Sequence, residues 1–117
     1  MIPEVVNDPG FIAYVTRAAE EYATLSPEPE RWEDFLGNIS NMWATLPTYT
    51  EEQLGTITTP ILVLQGETEE AIDYDHAAMM ASLIPGSEFV VMPGTGHFAM
   101  FEQPEEFNQI VMDFLAS

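Results

Sequence analysis

The sequence predicts an α/β fold class, a parallel βαβα unit that is preceded by helices. Two short apolar runs, residues 61–64 and 89–92, predict parallel strands, and the first has the continuous hydrophobicity of a strand that is covered on both faces. The second strand is predicted to begin at Glu88. After each run, apolar residues recur at helical spacing. Because the connection between two parallel strands crosses over in the right-handed sense, the order strand, helix, strand, helix forms one unit. We assign residues 51–117 to this unit.

Residues 1–50 form a separate helical segment in this prediction. Apolar residues recur at helical spacing over residues 8–25, where Asp8 can cap the helix and Pro9 occupies its favoured first position. A Pro-rich stretch at residues 26–30 interrupts the pattern. A second helix, with acids in its first turn, is then expected to continue to about residue 46.

Local signals mark the start and end of each element in the second half of the chain. Thr50 and Gln53 fit a capping box for one short helical turn. Pro60 stands at the start of the first strand, where its missing N–H does least harm. Asp73, or Asp75 after it, can cap a helix over residues 76–84. The remaining signals are the helix stop at Pro85-Gly86 and the helix start at Gln103-Pro104.

The charge of the chain is strongly negative. Twenty acids face two bases, Arg17 and Arg31, and the net charge is −18. Such a surface disfavours nucleic acids and anionic membranes as partners. Two explanations fit this composition. The host is adapted to salt or acid, or the excess of acids is confined to one part of a larger protein whose bases lie elsewhere.

Targeting and redox signals are missing from the sequence. No apolar run approaches the ~20 residues that span a bilayer, and the first residues lack the basic and apolar regions of a signal peptide. The chain contains no cysteine, which excludes a disulfide, a thiolate nucleophile and a Cys-based zinc site. We therefore expect a cytoplasmic protein.

Two loops with chemically active side chains follow the predicted strands. An acidic loop, residues 67–70, follows the first strand, and His97 follows the second in a Gly-rich turn. The carboxyl ends of parallel strands meet at one edge of a sheet, so side chains from the two loops can come within hydrogen-bond reach. A carboxylate that orients a histidine forms two thirds of a Ser-His-acid triad.

Three segments of the sequence carry a family resemblance. They are the strand and acid loop from Pro60 to Glu69, the loop Pro93-Gly94-Thr95-Gly96-His97-Phe98, and the helix start Glu102-Gln103-Pro104-Glu105-Glu106-Phe107. Together they resemble the C-terminal portion of the α/β-hydrolase superfamily, over about residues 54–117. The resemblance implies hydrolysis of an ester or related acyl bond without a cofactor, with His97 as general base and then acid. Residues 1–50 then correspond to part of the family's helical cap.

The acid that pairs with His97 has several candidates. Glu69 occupies the place where the family usually has Asp, and Glu also serves in this role in some α/β-hydrolases. Glu67, Glu70 and Asp73 are near enough in sequence to substitute, and an acid outside this chain is a further alternative. We predict His97 and Glu69 as the catalytic residues.

Aromatic side chains are the candidates for substrate binding. Phe98 follows His97 directly, where packing under the last helix explains its position equally well. Trp43 lies in the helical segment, where its helical spacing favours packing within a core over a substrate pocket. His76 stands beside Asp73 and Asp75, but this spacing matches no standard metal motif, so we expect no metal site.

The nucleophile of a triad is missing from the sequence. None of the serines lies in a Gly-x-Ser-x-Gly turn, and two parallel strands are too few for a stable sheet. We therefore expect a C-terminal fragment of a serine-type hydrolase that acts on a small ester-like substrate, is inactive alone, and has the missing N-terminal part as its partner. The alternative is a non-catalytic module that completes its open sheet edge with another chain or, by self-association, with a second copy.

Overall fold

The computed structural model describes residues 3–117, which divide into two units, residues 3–48 and 49–117. The first unit is helical. A 3₁₀ turn at Pro3–Asn7 precedes helix α1, Pro9–Leu25, and a second 3₁₀ turn at Pro29–Arg31 leads into helix α2, Trp32–Thr45. Both helices agree with the sequence-based prediction, including the Asp8 cap, whose Oδ1 accepts from the backbone N–H groups of Gly10 and Phe11.

Aromatic rings join the two helices of this unit. The ring centroid of Tyr22 lies 5.5 Å from that of Trp32 and 5.1 Å from that of Phe35. Phe11 meets Trp43 edge-on at 6.4 Å. Within the described chain, neither helix has a buried side chain. Large apolar side chains on α1 and α2 are therefore left partly exposed, among them Trp43 at 38% and Leu25 at 80%.

The second unit contains the predicted parallel βαβα order. Strands β1, Leu62–Gly66, and β2, Glu88–Met92, pair in parallel with Leu62 opposite Glu88 and Gly66 opposite Met92. The helices are α3, Glu51–Gly55, α4, Tyr74–Leu83, α5, Ala99–Glu102, and α6, Pro104–Ala116. The predicted α/β fold class is confirmed.

Three details differ from the prediction. Strand β1 continues to Gly66 instead of ending at residue 64, because its ladder follows β2 as far as Met92. Helix α4 begins at Tyr74, since Asp73 is the residue that caps it by accepting from the N–H of Asp75. Helix α5 was not predicted, because a four-residue helix is too short to produce a detectable period.

Most of the buried residues of the second unit lie at the carboxyl ends of the strands and in the segments that follow them. Met92 and Thr95 are fully buried, and Val63, Gln65, Ala71, Ile84 and Ala99 are nearly so. The part of the unit with most packing is thus the edge that carries the acidic loop and the histidine loop. Across the described residues, no helix has the length and hydropathy needed to cross a bilayer.

Candidate active site

The two loops continue the contact between the strands beyond the sheet. The N–H of Glu67 donates to the Met92 carbonyl at 3.0 Å. Thr68 donates to the Thr95 carbonyl twice, from its N–H at 2.9 Å and from its hydroxyl at 3.0 Å. The Thr95 hydroxyl donates to the Met92 carbonyl at 3.0 Å. These bonds fix the acidic loop directly against the histidine loop.

Gly66 makes this close approach possible. A Cβ atom added to Gly66 would lie 2.5 Å from the carbonyl oxygen of Thr95 and still closer to that of Gly96. Both obstacles are backbone atoms, so no rotation of a side chain relieves the clash. The position at the end of β1 therefore requires glycine because the backbone of the histidine loop occupies the space of a side chain.

The structure brings the ring of His97 onto the carboxylate of Glu69. Nδ1 of His97 lies 2.8 Å from Oε1 of Glu69, whose side chain is 8% exposed. The same oxygen accepts from the N–H groups of Ala71 at 2.8 Å and Ile72 at 3.0 Å, which hold the carboxylate in place. Because an ionised carboxylate only accepts hydrogen bonds, Nδ1 is the donor of this pair.

The other ring nitrogen of His97 is left able to accept a proton. With the hydrogen on Nδ1, Nε2 carries a lone pair, and no hydrogen-bond partner for Nε2 is found among residues 3–117. The side chain is 36% exposed, so the ring is not enclosed by its own unit. In the neutral ring, this is the tautomer that a general base needs.

The remaining acids near the site bind backbone instead of the ring. Glu67 accepts from the N–H of Gly94 at 2.8 Å, and Glu70 accepts from the N–H of His97 at 2.9 Å. Asp73 caps α4. The three residues that competed with Glu69 in the sequence thus have other contacts, and the ring contact is made by Glu69.

Glu102 is a site residue that the sequence did not reveal. From the end of α5 its Oε2 accepts from the N–H of Gly96 at 2.8 Å. The backbone of Gly96 and His97 is consequently held by carboxylates from two elements, α5 and the acidic loop. The available signal was the position of a glutamate a few residues after the histidine, but nothing local indicates that it turns back onto the loop.

The two residues predicted to bind substrate lie in different units. The Phe98 ring lies edge-on to the His97 ring, with centroids 5.1 Å apart and planes at 83°. Trp43 lies in the first unit, where it lines an apolar groove of ≈ 420 Å³ with Phe11, Ile12, Val15 and Leu36 among its neighbours. Phe98 is thus adjacent to the candidate chemistry, and Trp43 belongs to a hydrophobic groove.

Three serine hydroxyls are engaged with backbone carbonyls. The hydroxyls of Ser82, Ser87 and Ser117 donate to the backbone carbonyls of Met79, Ala81 and Phe114, respectively. Among the described residues, no group of three or more histidine or acidic side chains is arranged to hold a metal ion.

The comparison with protein families decides the assignment. A model described as "Alpha/beta hydrolase family" matches residues 3–110 of this chain. The chain belongs to the alpha/beta hydrolase family. This confirms the family predicted from the acid and histidine loops, and the parallel strand pair of the structure is part of the fold of that family.

Curated hydrolases resemble this chain over part of their length. A 2-hydroxy-6-oxononadienedioate/2-hydroxy-6-oxononatrienedioate hydrolase of Comamonas testosteroni is 28% identical over 97 residues, which are 82% of this chain and 33% of that protein. Carboxylesterase YbfK of Bacillus subtilis is 37% identical over 68 residues, which are 57% of this chain and 23% of YbfK. The chain spans about a third or less of the length of these curated relatives.

Solved hydrolase structures give the same result. A serine hydrolase involved in carbazole degradation, the CarC enzyme, superposes with a TM-score of 0.65 at 26% identity, over 78% of this chain and 35% of CarC. The crystal structure of carboxylesterase CesB (YbfK) gives a TM-score of 0.56 at 32% identity, over 60% of this chain and 25% of that chain. Both neighbours are hydrolases by their descriptions.

Proposed function

We propose that this chain is the histidine-bearing portion of a serine-type α/β-hydrolase that cleaves an ester or related acyl bond. The observation that carries the proposal is the 2.8 Å hydrogen bond between His97 Nδ1 and the nearly buried Glu69 carboxylate. A histidine fixed in this way has the tautomer and orientation of the base in a Ser-His-acid triad. Membership in the alpha/beta hydrolase family supports the same role.

In the proposed reaction, Nε2 of His97 removes the proton of a serine hydroxyl as that oxygen attacks the acyl carbon. The imidazolium then gives this proton to the leaving group, and the ring activates water in the same way to release the acid product. Glu69 stabilises the imidazolium and keeps the proton of the neutral ring on Nδ1. The serine and the oxyanion-binding N–H groups come from a segment outside these 117 residues, since the sequence has no nucleophile turn.

We assign residues 51–117 to the C-terminal part of the hydrolase core and residues 1–50 to a cap-like segment. The division of the described chain near residue 48 supports this boundary. The partly exposed apolar side chains of α1 and α2 support a segment that packs against further protein or substrate. Phe98 and Trp43 are the proposed substrate contacts, and the cytoplasmic location remains a prediction.

An uncharged ester suits the charges of this chain better than a dicarboxylate. The relative from Comamonas testosteroni is named for a dienedioate, whereas YbfK is named a carboxylesterase. Here both basic side chains form ion pairs with acids three or four residues away in sequence: Arg17 with Glu21 at 2.7 Å, and Arg31 with Glu28 at 3.1 Å. With a net charge of −18, the chain repels a dianionic substrate.

The test uses a chimera in which this chain replaces the matching segment of carboxylesterase YbfK. We expect the chimera to hydrolyse p-nitrophenyl butyrate and the isolated 117-residue chain to be inactive. Glu69→Gln should lower kcat of the chimera by about 10³–10⁴-fold, the scale of an acid-to-amide change in a triad, because the amide can hold the wrong tautomer. Asp73→Asn, which keeps the helix cap, is the matched control and should retain near-full rate.

Two results would contradict this function. An active Glu69→Gln chimera beside an inactive Asp73→Asn chimera would show that Asp73, and not Glu69, is the catalytic acid. Robust hydrolysis by the isolated chain that disappears in His97→Ala would reveal a nucleophile within these 117 residues.

The second candidate is an interaction module that completes its sheet with another chain. It is favoured by the absent nucleophile and by a two-stranded sheet with open edges in the described residues. A stable complex of the chain with a protein that supplies no serine nucleophile would support this candidate.

A further inference from the structure

We propose that Glu70 and Glu102 are positioning residues that hold the backbone of His97 while Glu69 holds its ring. The inference rests on the proposed function of His97 as the catalytic base. Glu70 accepts from the N–H of His97 at 2.9 Å, and Glu102 accepts from the N–H of Gly96 at 2.8 Å. Two consecutive backbone amides immediately before the ring are therefore each bound by a carboxylate.

Both carboxylates lie beside the Cβ position of Gly96. A Cβ atom added there would lie 2.6 Å from Oε2 of Glu70 and 3.3 Å from Oε1 of Glu102. One carboxylate comes from the acidic loop and the other from the last residue of α5. The backbone at Gly96 and His97 is thus contacted by carboxylates from two separate elements, the acidic loop and α5.

Consecutive residues fix both ends of the histidine. Glu69 binds ring atom Nδ1, and its neighbour Glu70 binds the backbone nitrogen of the same residue. Hydrogen bonds to an ionised acceptor are shorter and roughly twice as strong as neutral ones. With backbone and ring held from one loop, the direction of Nε2 is set by the geometry of residues 69–70, and no contact with substrate is needed to set it.

This role requires a side chain long enough to accept a hydrogen bond from the His97 N–H, and it does not require a negative charge. Gln at position 70 keeps an acceptor oxygen at the same length and removes the charge. Asp keeps the charge but is one methylene shorter, so it loses the contact with the His97 N–H. The pair Glu70→Gln and Glu70→Asp therefore separates positioning from a general electrostatic effect.

The first measurement uses the 117-residue chain with ¹⁵N-labelled histidine. The slowly exchanging Nδ1 proton and the ring ¹⁵N shifts report the tautomer of His97, and exposed His76 on α4 is the internal reference. We expect Glu70→Asp and Glu102→Ala to lose the Nδ1 proton signal and to move the ring shifts towards those of His76. Glu70→Gln should retain both wild-type features.

Matched controls remove the same charge elsewhere. Glu67→Ala deletes a similar bond to Gly94, three residues before His97, and Glu106→Ala removes an exposed charge on α6. Both should leave the ring shifts of His97 unchanged. Amide exchange in β1 checks that every variant is folded. If Glu102→Ala unfolds, the comparison of Glu70→Gln with Glu70→Asp still tests whether Glu70 positions His97.

The second measurement uses the active chimera. Glu70→Asp should lower kcat by about 10-fold or more, as expected when a supporting contact is lost, with KM unchanged within about twofold. Glu70→Gln should restore the rate.

The outcomes of the two proposals are distinct. Wild-type ring shifts in Glu70→Asp, or equal losses in Glu70→Asp and Glu70→Gln, would overturn positioning by Glu70 while leaving His97 as the base. Absence of the Nδ1–Glu69 signal in the wild-type chain would overturn the proposed function, and this inference with it.

Discussion

Gly66 controls whether the acidic loop can reach the histidine loop. We expect Gly66→Ala to destabilise the second unit by about 1–3 kcal/mol, because its Cβ atom would overlap the backbone of Thr95 and Gly96. Amide hydrogen exchange in β1, or urea unfolding followed by the His97 ring signal, measures this loss. The Nδ1–Glu69 contact should weaken as the loops separate.

The matched control for Gly66 is Gly37 in the middle of α2. A Cβ atom added at Gly37 meets no atom within 4 Å, and alanine is the better helix former by about 1 kcal/mol. Gly37→Ala should therefore raise the stability of the first unit, measured by the fluorescence of the tryptophans in α2. A Gly66→Ala chain as stable as the wild type would show that the loops approach each other less closely than described.

Among the helices, α1 depends on its N-terminal cap. Asp8 satisfies two N–H groups of the first turn, so Asp8→Ala should destabilise the first unit by about 1 kcal/mol. Asp8→Asn keeps the acceptor and should be nearly neutral. Thermal unfolding followed by tryptophan fluorescence compares the two variants, because Trp32 and Trp43 both lie in this unit. Equal losses in both would assign the effect to the charge of Asp8 near the helix terminus.

Strand β1 is paired along one side among the described residues. The Ile61 carbonyl accepts from the N–H of Glu88, and the N–H of Glu67 donates to Met92. Because alternate residues of a strand point their backbone groups to opposite sides, Val63 and Gln65 also face β2, whereas Leu62, Leu64 and Gly66 face the open edge. The backbone of these three residues is available to pair with a further strand.

The described residues together bury little apolar surface. The described core consists of Val5, Val63, Ala71, Ile84, Met92 and Ala99, whereas large apolar side chains such as Leu25, Tyr49 and Leu115 are more than half exposed. Exposed apolar surface and open strand edges are features of a protein that associates with further chain. The charge of −18 opposes association between copies.

We therefore expect the isolated chain to self-associate more strongly as salt is added. At 0.1 M salt the Debye length is ~10 Å, so repulsion between copies is screened while apolar contacts persist. Light scattering should show a rise in mass with NaCl and none with sucrose at the same osmolality. Amide exchange of Leu64 should slow on association, while that of Gln65 is slow throughout. A compact monomer at both low and high salt would contradict this prediction.

Much of the fold followed from patterns that are local in sequence. The apolar runs, the Asp8 and Thr50 caps and the proline and glycine stops depend on neighbours a few residues apart, so they could be recognised without tertiary information. The same patterns pointed to His97 and to an acid from residues 67–73. They left α5 unrecognised because it is a single turn.

The choice among the acids depended on distances that local patterns do not contain. Glu67, Glu69 and Glu70 are equivalent in chemistry and adjacent in sequence, yet they bind Gly94, the His97 ring and the His97 backbone. Each contact joins residues 27 or 28 positions apart, and its partner is set by the parallel register and by the close approach at Gly66. If the acidic loop were shifted by one residue, the three glutamates would no longer meet these partners, because neighbouring side chains point in different directions. The sequence therefore predicted His97 and, through the family resemblance, favoured Glu69 among several carboxylates, whereas the packing of two backbones against each other determines that Glu69 is the one in contact with the His97 ring.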